Sequence, residues 1–306
     1  MTDRRLVVVA GPTGTGKSDL ALALADCLDG EIVNADSMQL YRGMDIGTAK
    51  LPWADRRGIA HHLLDVLDVT QTATVAAYQR DARAVIEQIL ARDRTPLLVG
   101  GSGLYIRAVV DAIEFPATDP AVRARLEGEL AAVGPAAMAE RLTRADPEAA
   151  VMIGPTNGRK IVRALEVIEL TGRPFSATMP RYDAPAHGAV QLLLDRETRE
   201  LDLRLEHRVH RMVSDGLLDE VRRLDRLGLR QGVTASRALG YAQFLQVLDG
   251  VATLDQAVAA TTQATRRFVR RQRSWFRRDH RMIDLDAARA DLLDRALEAV
   301  AGASVG

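Results

Sequence analysis

Gly11-Pro12-Thr13-Gly14-Thr15-Gly16-Lys17-Ser18 carries the most specific chemistry in this 306-residue chain. The segment satisfies G-x-x-x-x-G-K-[ST]. In that pattern glycines let backbone N–H groups converge on phosphate oxygens, the lysine adds a compact cation, and the last hydroxyl can ligate Mg²⁺. It predicts a phosphate or pyrophosphate site and leaves open which polyphosphate. Asp36, which opens Asp36-Ser37-Met38-Gln39, falls at the end of a predicted strand. Beside a cationic phosphate site its carboxylate stays ionised and can act as a general base; the same aspartate can also cap the loop that follows. Gly100-Gly101-Ser102-Gly103 closes another strand with close backbone approach and one hydroxyl, where a motor-type NTPase would carry a Walker-B aspartate. Other strand-end acids, Asp36 and Asp195, keep a small-molecule kinase open. Adjacent His61 and His62 face opposite ways on a strand, and no third ligand has suitable spacing, so no metal site is expected there.

The elements that must position these groups follow from periodicity. Leu6 to Ala10 reads as a buried strand, Ser18 to Leu28 as a helix stopped by Gly30, Glu31 to Ala35 as a strand, Val75 to Ala91 as a helix and Pro96 to Val99 as a strand. Alternation on this scale predicts an α/β fold, a P-loop NTPase-like parallel sheet covered by helices, with ligands at the C-terminal strand ends. From about residue 116 to 188 no strand-like run appears, and eight of the eleven prolines fall there. An inserted all-helical module is expected, with helices at Pro120 to Val133, Pro135 to Thr143 and Arg159 to Leu170 and a Pro/Gly loop from Thr171 to Gly188. Residues 1–115 and 189–306 would form the phosphate-loop core. In the second of these segments Ala189 to Asp195 returns as a strand, and the chain is then helical nearly to its end.

Composition excludes disorder, collagen-like repeats and a disulfide-rich mini-protein, since 47% of residues are hydrophobic and 27% charged. The lone Cys27 cannot form an internal disulfide and, within DLALALADCL, is expected as a small buried hydrophobe. The apolar run after Met1 is too short for a signal or a membrane span, so a cytoplasmic protein without membrane association is expected. Only three of the 41 basic residues are lysine, Lys17, Lys50 and Lys160. Acids and bases balance over the whole chain, yet between Thr261 and Met282 eight arginines face one acid, Asp279. On a helix Arg266, Arg270, Arg273 and Arg277 form one stripe, Arg267, Arg271 and Arg278 a second, and Phe268, Trp275 and Phe276 gather on another face. Such a face suits phosphate tracking with base stacking, or pairing with acids elsewhere in the protein.

The segments GPTGTGKS, DSMQLYRGMDIGTAK, HHLLDV, LLVGGSGLYIRA, DPAVRARL, NGRKIVRALEV, GLLDEV, SRALGYAQ and TRRFVRRQRSWFRR run in this order from residue 11 to 278. Together they resemble the bacterial tRNA dimethylallyltransferases, the IPP transferase family, which place an isopentenyl group on N6 of the adenosine 3′-adjacent to the anticodon. The sequence departs from the family pattern at Gly14, where alanine is frequent, and at Gly158, where an acid is common. The resemblance implies that residues 11–18 hold the diphosphate of dimethylallyl diphosphate instead of a nucleoside triphosphate, with Mg²⁺ on Ser18. It also implies that Asp36 is the base on the adenine amine, that Lys17 and Arg237 counter charge on the leaving pyrophosphate, and that Ser102 and Arg123 lie near the reacting groups. Contacts to a tRNA anticodon stem-loop are implied for Asp36, Ser37, Met38, Gln39, Arg159, Lys160, Arg163, Arg237, Arg270, Arg271, Arg273, Trp275 and Arg277. A monomer is expected. A kinase, an isopentenyltransferase acting on free AMP, and an RNA-binding module with an inactive loop are the rival readings. All three lysines fall in matching segments, but only for Lys17 is there a physical reason to refuse arginine, since a narrow phosphate loop suits a compact ammonium.

Overall fold

Alternation along the first apolar run puts Val7 and Val9 on one side of a sheet and Val8 and Ala10 on the other, and all four are fully buried. A strand covered on both faces reads as a continuous hydrophobic run because parallel sheets carry helices on both sides. The computed structural model describes residues 4–113, 115–116, 118–178 and 188–303. It divides into two compact units, Met1–Val110 with Ala184–Gly306, and Asp111–Asp183.

In the first unit the strands are β1 (Val7–Ala10), β2 (Gly30–Asn34), β3 (His61–His62), β4 (Thr95–Gly100), β5 (Val190–Asp195) and β6 (Ile283–Asp286). They form one sheet in the order β3-β2-β4-β1-β5-β6, every neighbouring pair parallel. The helices are α1 (Lys17–Leu28), α2 (Val75–Ala91) and α3 (Gly103–Val110); in the second unit α4 (Pro120–Ala145), α5 (Pro147–Ile153) and α6 (Gly158–Thr171); and again in the first α7 (Thr198–Ser214), α8 (Leu217–Arg226), α9 (Tyr241–Leu248), α10 (Leu254–Phe276) and α11 (Leu292–Gly302). Val7, Val9, Ile32, Leu97 and Leu192 pack with α1 and α11. On the opposite face Val8, Val33 and Leu98 pack with Ile86 and Ile89 of α2, Ile106 and Val109 of α3, and Phe276. A third cluster, around Tyr41, Leu217, Val221, Tyr241 and Phe244, joins the loop after β2 to the C-terminal helices. Among the described residues no helix is long and apolar enough to cross a membrane.

This is the expected α/β architecture, with differences that have local causes. Helix α1 ends at Asp29, whose left-handed backbone (φ 50) caps Ala25 O; Gly30 instead opens β2, where a Cβ would lie 2.2 Å from Leu97 Cδ1. Cys27 is exposed, because the buried arc of α1 runs through Leu20, Ala21, Leu24 and Ala25 and leaves it aside in the last turn. The C-terminal segment is not wholly helical. Strand β6 buries only Leu285, so its four residues carry almost no apolar signal. In the second unit the two expected helices both form within α4, separated at non-helical Gly134 (φ 79, ψ 169) just before Pro135, whereas α5, started by Asp146 accepting Ala149 N–H, was not foreseen. Their core is Leu126, Met138, Leu142, Ile161 and Leu165. Of the expected loop from Thr171 to Gly188, residues 179–187 lie outside the described ones.

Lys50, which had position without mechanism, has a structural reason. Its side chain is 3% exposed and its ammonium donates to Tyr41 O, Asp45 Oδ1 and Asp65 Oδ1 at 2.6–2.9 Å, which pins the loop after β2. Its two carboxylate partners are themselves half exposed and would be solvated without it, so Lys50→Ala is expected to cost about 1–3 kcal/mol in urea unfolding, chiefly for the lost charge-assisted hydrogen bonds and the Tyr41 carbonyl left without its donor.

Candidate active site

In register, Ala10 pairs with Gly100 and Asn34 with Val99, so β1, β2 and β4 end together. Their C-terminal ends bring the phosphate loop, Asp36 and Gly101-Ser102 to one sheet edge, the usual ligand side of such folds. Gly11 (φ +146) passes so close to β5 that a Cβ would stand 2.2 Å from Leu194 O, and only glycine fits. The rest of the loop is held by its own atoms and by side chains from elsewhere: Thr15 Oγ1 donates to Pro12 O at 2.9 Å, Arg196 Nε to Thr15 O at 3.2 Å and Arg204 Nε to Gly14 O at 3.1 Å. Gln272 Oε1 accepts Thr13 N–H at 3.2 Å. Ser18 is exposed in the first turn of α1.

Lys17 Nζ donates to Pro12 O at 2.7 Å. Burial lowers its ammonium to a pKa of about 8; Asp36 pulls the other way, and the guanidinium of Arg208 adds to the lowering. Asp36 Oδ1 accepts Met38 N–H at 2.9 Å, so the aspartate does shape the following loop, and its backbone N–H is fixed by Asn34 Oδ1. This orients the carboxylate, which lines two adjoining cavities of about 740 and 310 Å³. Lys17, Asp36, Thr48 and Arg208 are common to both. The larger adds Ser18, Arg204 and Arg211; the smaller adds Ser102, Arg237 and an apolar wall of Val209, Leu239 and Phe268 that continues Met212, which lines both.

The arginines of α7 were missed from the sequence. Arg204, Arg208 and Arg211 recur at helical spacing in RLEHRVHR, a pattern that also fits an ordinary solvated face. Arg208 is half-buried and donates to Thr48 O. Burial lowers its pKa, opposed by Asp36 and reinforced by Arg211. Glu220 was missed as well. It is buried, accepts the N–H groups of Asp45, Ile46 and Gly47 at 2.8–3.1 Å and the Tyr241 hydroxyl at 2.6 Å, and so fixes the loop that presents Thr48.

Of the residues expected to touch RNA, Arg270, Arg271 and Arg277 are exposed on or just after α10, and Arg271 lies over the Phe268 ring. Arg273 is placed differently from its neighbours. Its side chain is 12% exposed and bonds Asp195 Oδ1, Thr198 Oγ1 and Arg196 O, so it ties α10 to β5. The three aromatics also part company. Phe276 is core, Phe268 lines a cavity, and Trp275 packs on Gly103, where a Cβ would lie 2.0 Å from the indole. Ser37 lines the smaller cavity, Met38 packs in the third core cluster, and Gln39 donates to Thr48 O. In the second unit Arg123 and Arg163 share the buried Glu166, while Arg159 and Lys160 are exposed in the first turn of α6. His62 Nε2 lies 2.6 Å from Glu31 and His61 Nδ1 2.9 Å from Ile59 O. Among the described residues no group of three or more His, Cys, Asp or Glu is placed to hold a metal.

A parallel sheet with a glycine-rich loop of phosphate-binding pattern at its C-terminal edge, a carboxylate beside the loop lysine and an apolar wall next to both places this chain among α/β proteins with a phosphate-loop-like fold. Residues 39–279 match the profile of the IPP transferase family. Curated relatives include the tRNA dimethylallyltransferases of Salinispora arenicola, 60% identical over 98% of this chain and 87% of that protein, and of Streptomyces griseus, 58% identical over 97% and 96%. Among solved structures, the tRNA isopentenylpyrophosphate transferase from Bacillus halodurans superposes with a TM-score of 0.73 at 36% identity, covering 98% and 96% of the two chains. A eukaryotic dimethylallyltransferase acting on tRNA gives a TM-score of 0.83 at 25% identity, covering 99% and 79%. The chain belongs to the IPP transferase family.

The lowered Lys17 pKa has a measurable consequence. Above pH 8 the free protein loses the Lys17 proton, and an anion seated on the loop would restore it. Binding of inorganic pyrophosphate as a probe should therefore take up a proton and weaken as pH rises from 8 to 10. Calorimetry in buffers of different ionisation enthalpy measures the uptake. Lys17→Arg, which stays charged, should bind more weakly at pH 7 but show no such slope.

Proposed function

We propose that this chain transfers the dimethylallyl group of dimethylallyl diphosphate to N6 of the adenosine 3′-adjacent to the anticodon of tRNA, releasing pyrophosphate. The observation that carries the reading is the shared wall of the two cavities. Lys17, Arg208 and the phosphate loop supply an anion-binding end, Met212, Val209, Leu239 and Phe268 an apolar end, and Asp36 lies at their junction. A small allylic diphosphate matches that sequence of surfaces.

An exocyclic adenine amine is a weak nucleophile, so departure of pyrophosphate must be assisted. N6 bonds to the allylic carbon as the carbon–oxygen bond to the diphosphate breaks, and the N6 proton passes to Asp36. Negative charge grows on the leaving oxygens, where loop N–H groups, Lys17, Arg208 and the exposed Arg237 can oppose it; donors fixed before the reaction act most strongly. The Ser18 hydroxyl, exposed at the start of α1, would hold a Mg²⁺, which would supply positive charge against the leaving group. The adenine must leave its stack to reach Asp36. Exposed Arg267, Arg270, Arg271, Arg277 and Arg278 along and just beyond α10 provide a phosphate-binding face that free AMP would not need.

Incubation with labelled dimethylallyl diphosphate, Mg²⁺ and either unmodified tRNA or AMP tests the reading. Label is expected on tRNA, and label on AMP alone would overturn it. Asp36→Ala should lower turnover about 10²- to 10⁴-fold with tRNA affinity within about twofold, measured by filter binding and single-turnover kinetics. Full turnover by that variant would remove Asp36 as the base.

A further inference from the structure

Gln272 stands in the run RRQRSW, between Arg271 and Arg273, on the helix that carries the exposed arginines. It is buried, 6% exposed, and its amide joins two loops that the sheet leaves unconnected. Oε1 accepts Thr13 N–H at 3.2 Å, and Nε2 donates to Gly101 O at 2.8 Å. The amide orientation follows from chemistry, because a backbone N–H can only donate and a carbonyl can only accept. Gly101 must be glycine for this approach, since a Cβ there would lie 2.4 Å from Gln272 Nε2 and 3.2 Å from Gly11 O.

We infer that Gln272 is a positioning residue for the transfer reaction. It spans the phosphate loop and the strand-end loop carrying Ser102, and so sets where a bound diphosphate stands relative to Asp36. The inference rests on the transferase reading above. Few side chains could replace it. Methionine has similar length but no polar atoms to make either bond. Ionised glutamate keeps the acceptor for Thr13 but turns a second acceptor toward Gly101 O; protonated glutamate, with one donor and one acceptor, restores both bonds. A residue serving only to pack α10 on the sheet would tolerate methionine and would show no dependence on the protonation of a glutamate.

The experiment measures single-turnover transfer of labelled dimethylallyl to tRNA, tRNA affinity, binding of inorganic pyrophosphate and the unfolding midpoint for wild type, Gln272→Met and Gln272→Glu. Gln272→Met is expected to lose about 10- to 100-fold in rate per folded enzyme, the scale of a small misplacement of reacting groups. Its tRNA affinity should stay within about twofold, because the exposed arginines are untouched, and pyrophosphate should bind about tenfold more weakly for lack of the fixed Thr13. Gln272→Glu should recover rate as pH falls and its carboxyl protonates, a limb that wild type and Gln272→Met lack. An active wild type alongside an equally fast Gln272→Met, or a Gln272→Glu whose rate follows pH as wild type does, overturns the role. If wild type transfers no label to tRNA, the transferase reading fails instead, and unweakened pyrophosphate binding in Gln272→Met would then overturn the loop-spanning role independently.

Discussion

A half-buried ammonium without a full counter-charge is the constraint around which this site is arranged. Lys17 gives one hydrogen to a carbonyl of its own loop and is lowered by burial despite the pull of Asp36. Arg208 is held in the same neighbourhood and lowered for the same reason. Two desolvated cations facing one carboxylate favour an incoming anion, since a diphosphate supplies the charge that the protein withholds. Keeping cations in that state requires a rigid backbone, because a mobile loop would turn them toward water.

The rigidity comes from side chains that bond backbone groups of the loops. Arg196 and Arg204 hold carbonyls of the phosphate loop, Gln272 joins that loop to Gly101, and Glu220 gathers three N–H groups of the loop before Thr48. Lys50 anchors the other side of that same loop. Each of these groups comes from a segment distant in sequence from the loop it fixes, except Lys50. Helices α7, α8 and α10 therefore act on the sheet edge through polar contacts as well as through their shared apolar core.

Much of this was legible before the fold was known. The phosphate loop, Asp36 and the central strands announce themselves because positive-φ glycines and unbroken β-branched runs have few other uses. Arg273 shows where legibility stops. It shares a stripe with Arg270 and Arg277, and periodicity treats the three alike; only the position of Asp195 at the end of β5 turns one inward. Lys50 could not be explained either, since its partners include Asp65, brought close by a turn that no local pattern reveals. The α7 arginines were hidden for the opposite reason: a charged helical face is so common on surfaces that its spacing carries no information about what it covers.

The two ends of the sheet differ from its middle. One edge is the two-residue β3, and the other is β6, whose Asp284 and Asp286 are exposed on either side of buried Leu285. An open edge is a template on which a second chain could hydrogen-bond and begin to aggregate; a very short edge on one side and a negatively charged one on the other resist that addition. The weak apolar signal that hid β6 in the sequence thus belongs to an edge whose charges disfavour the addition of another strand.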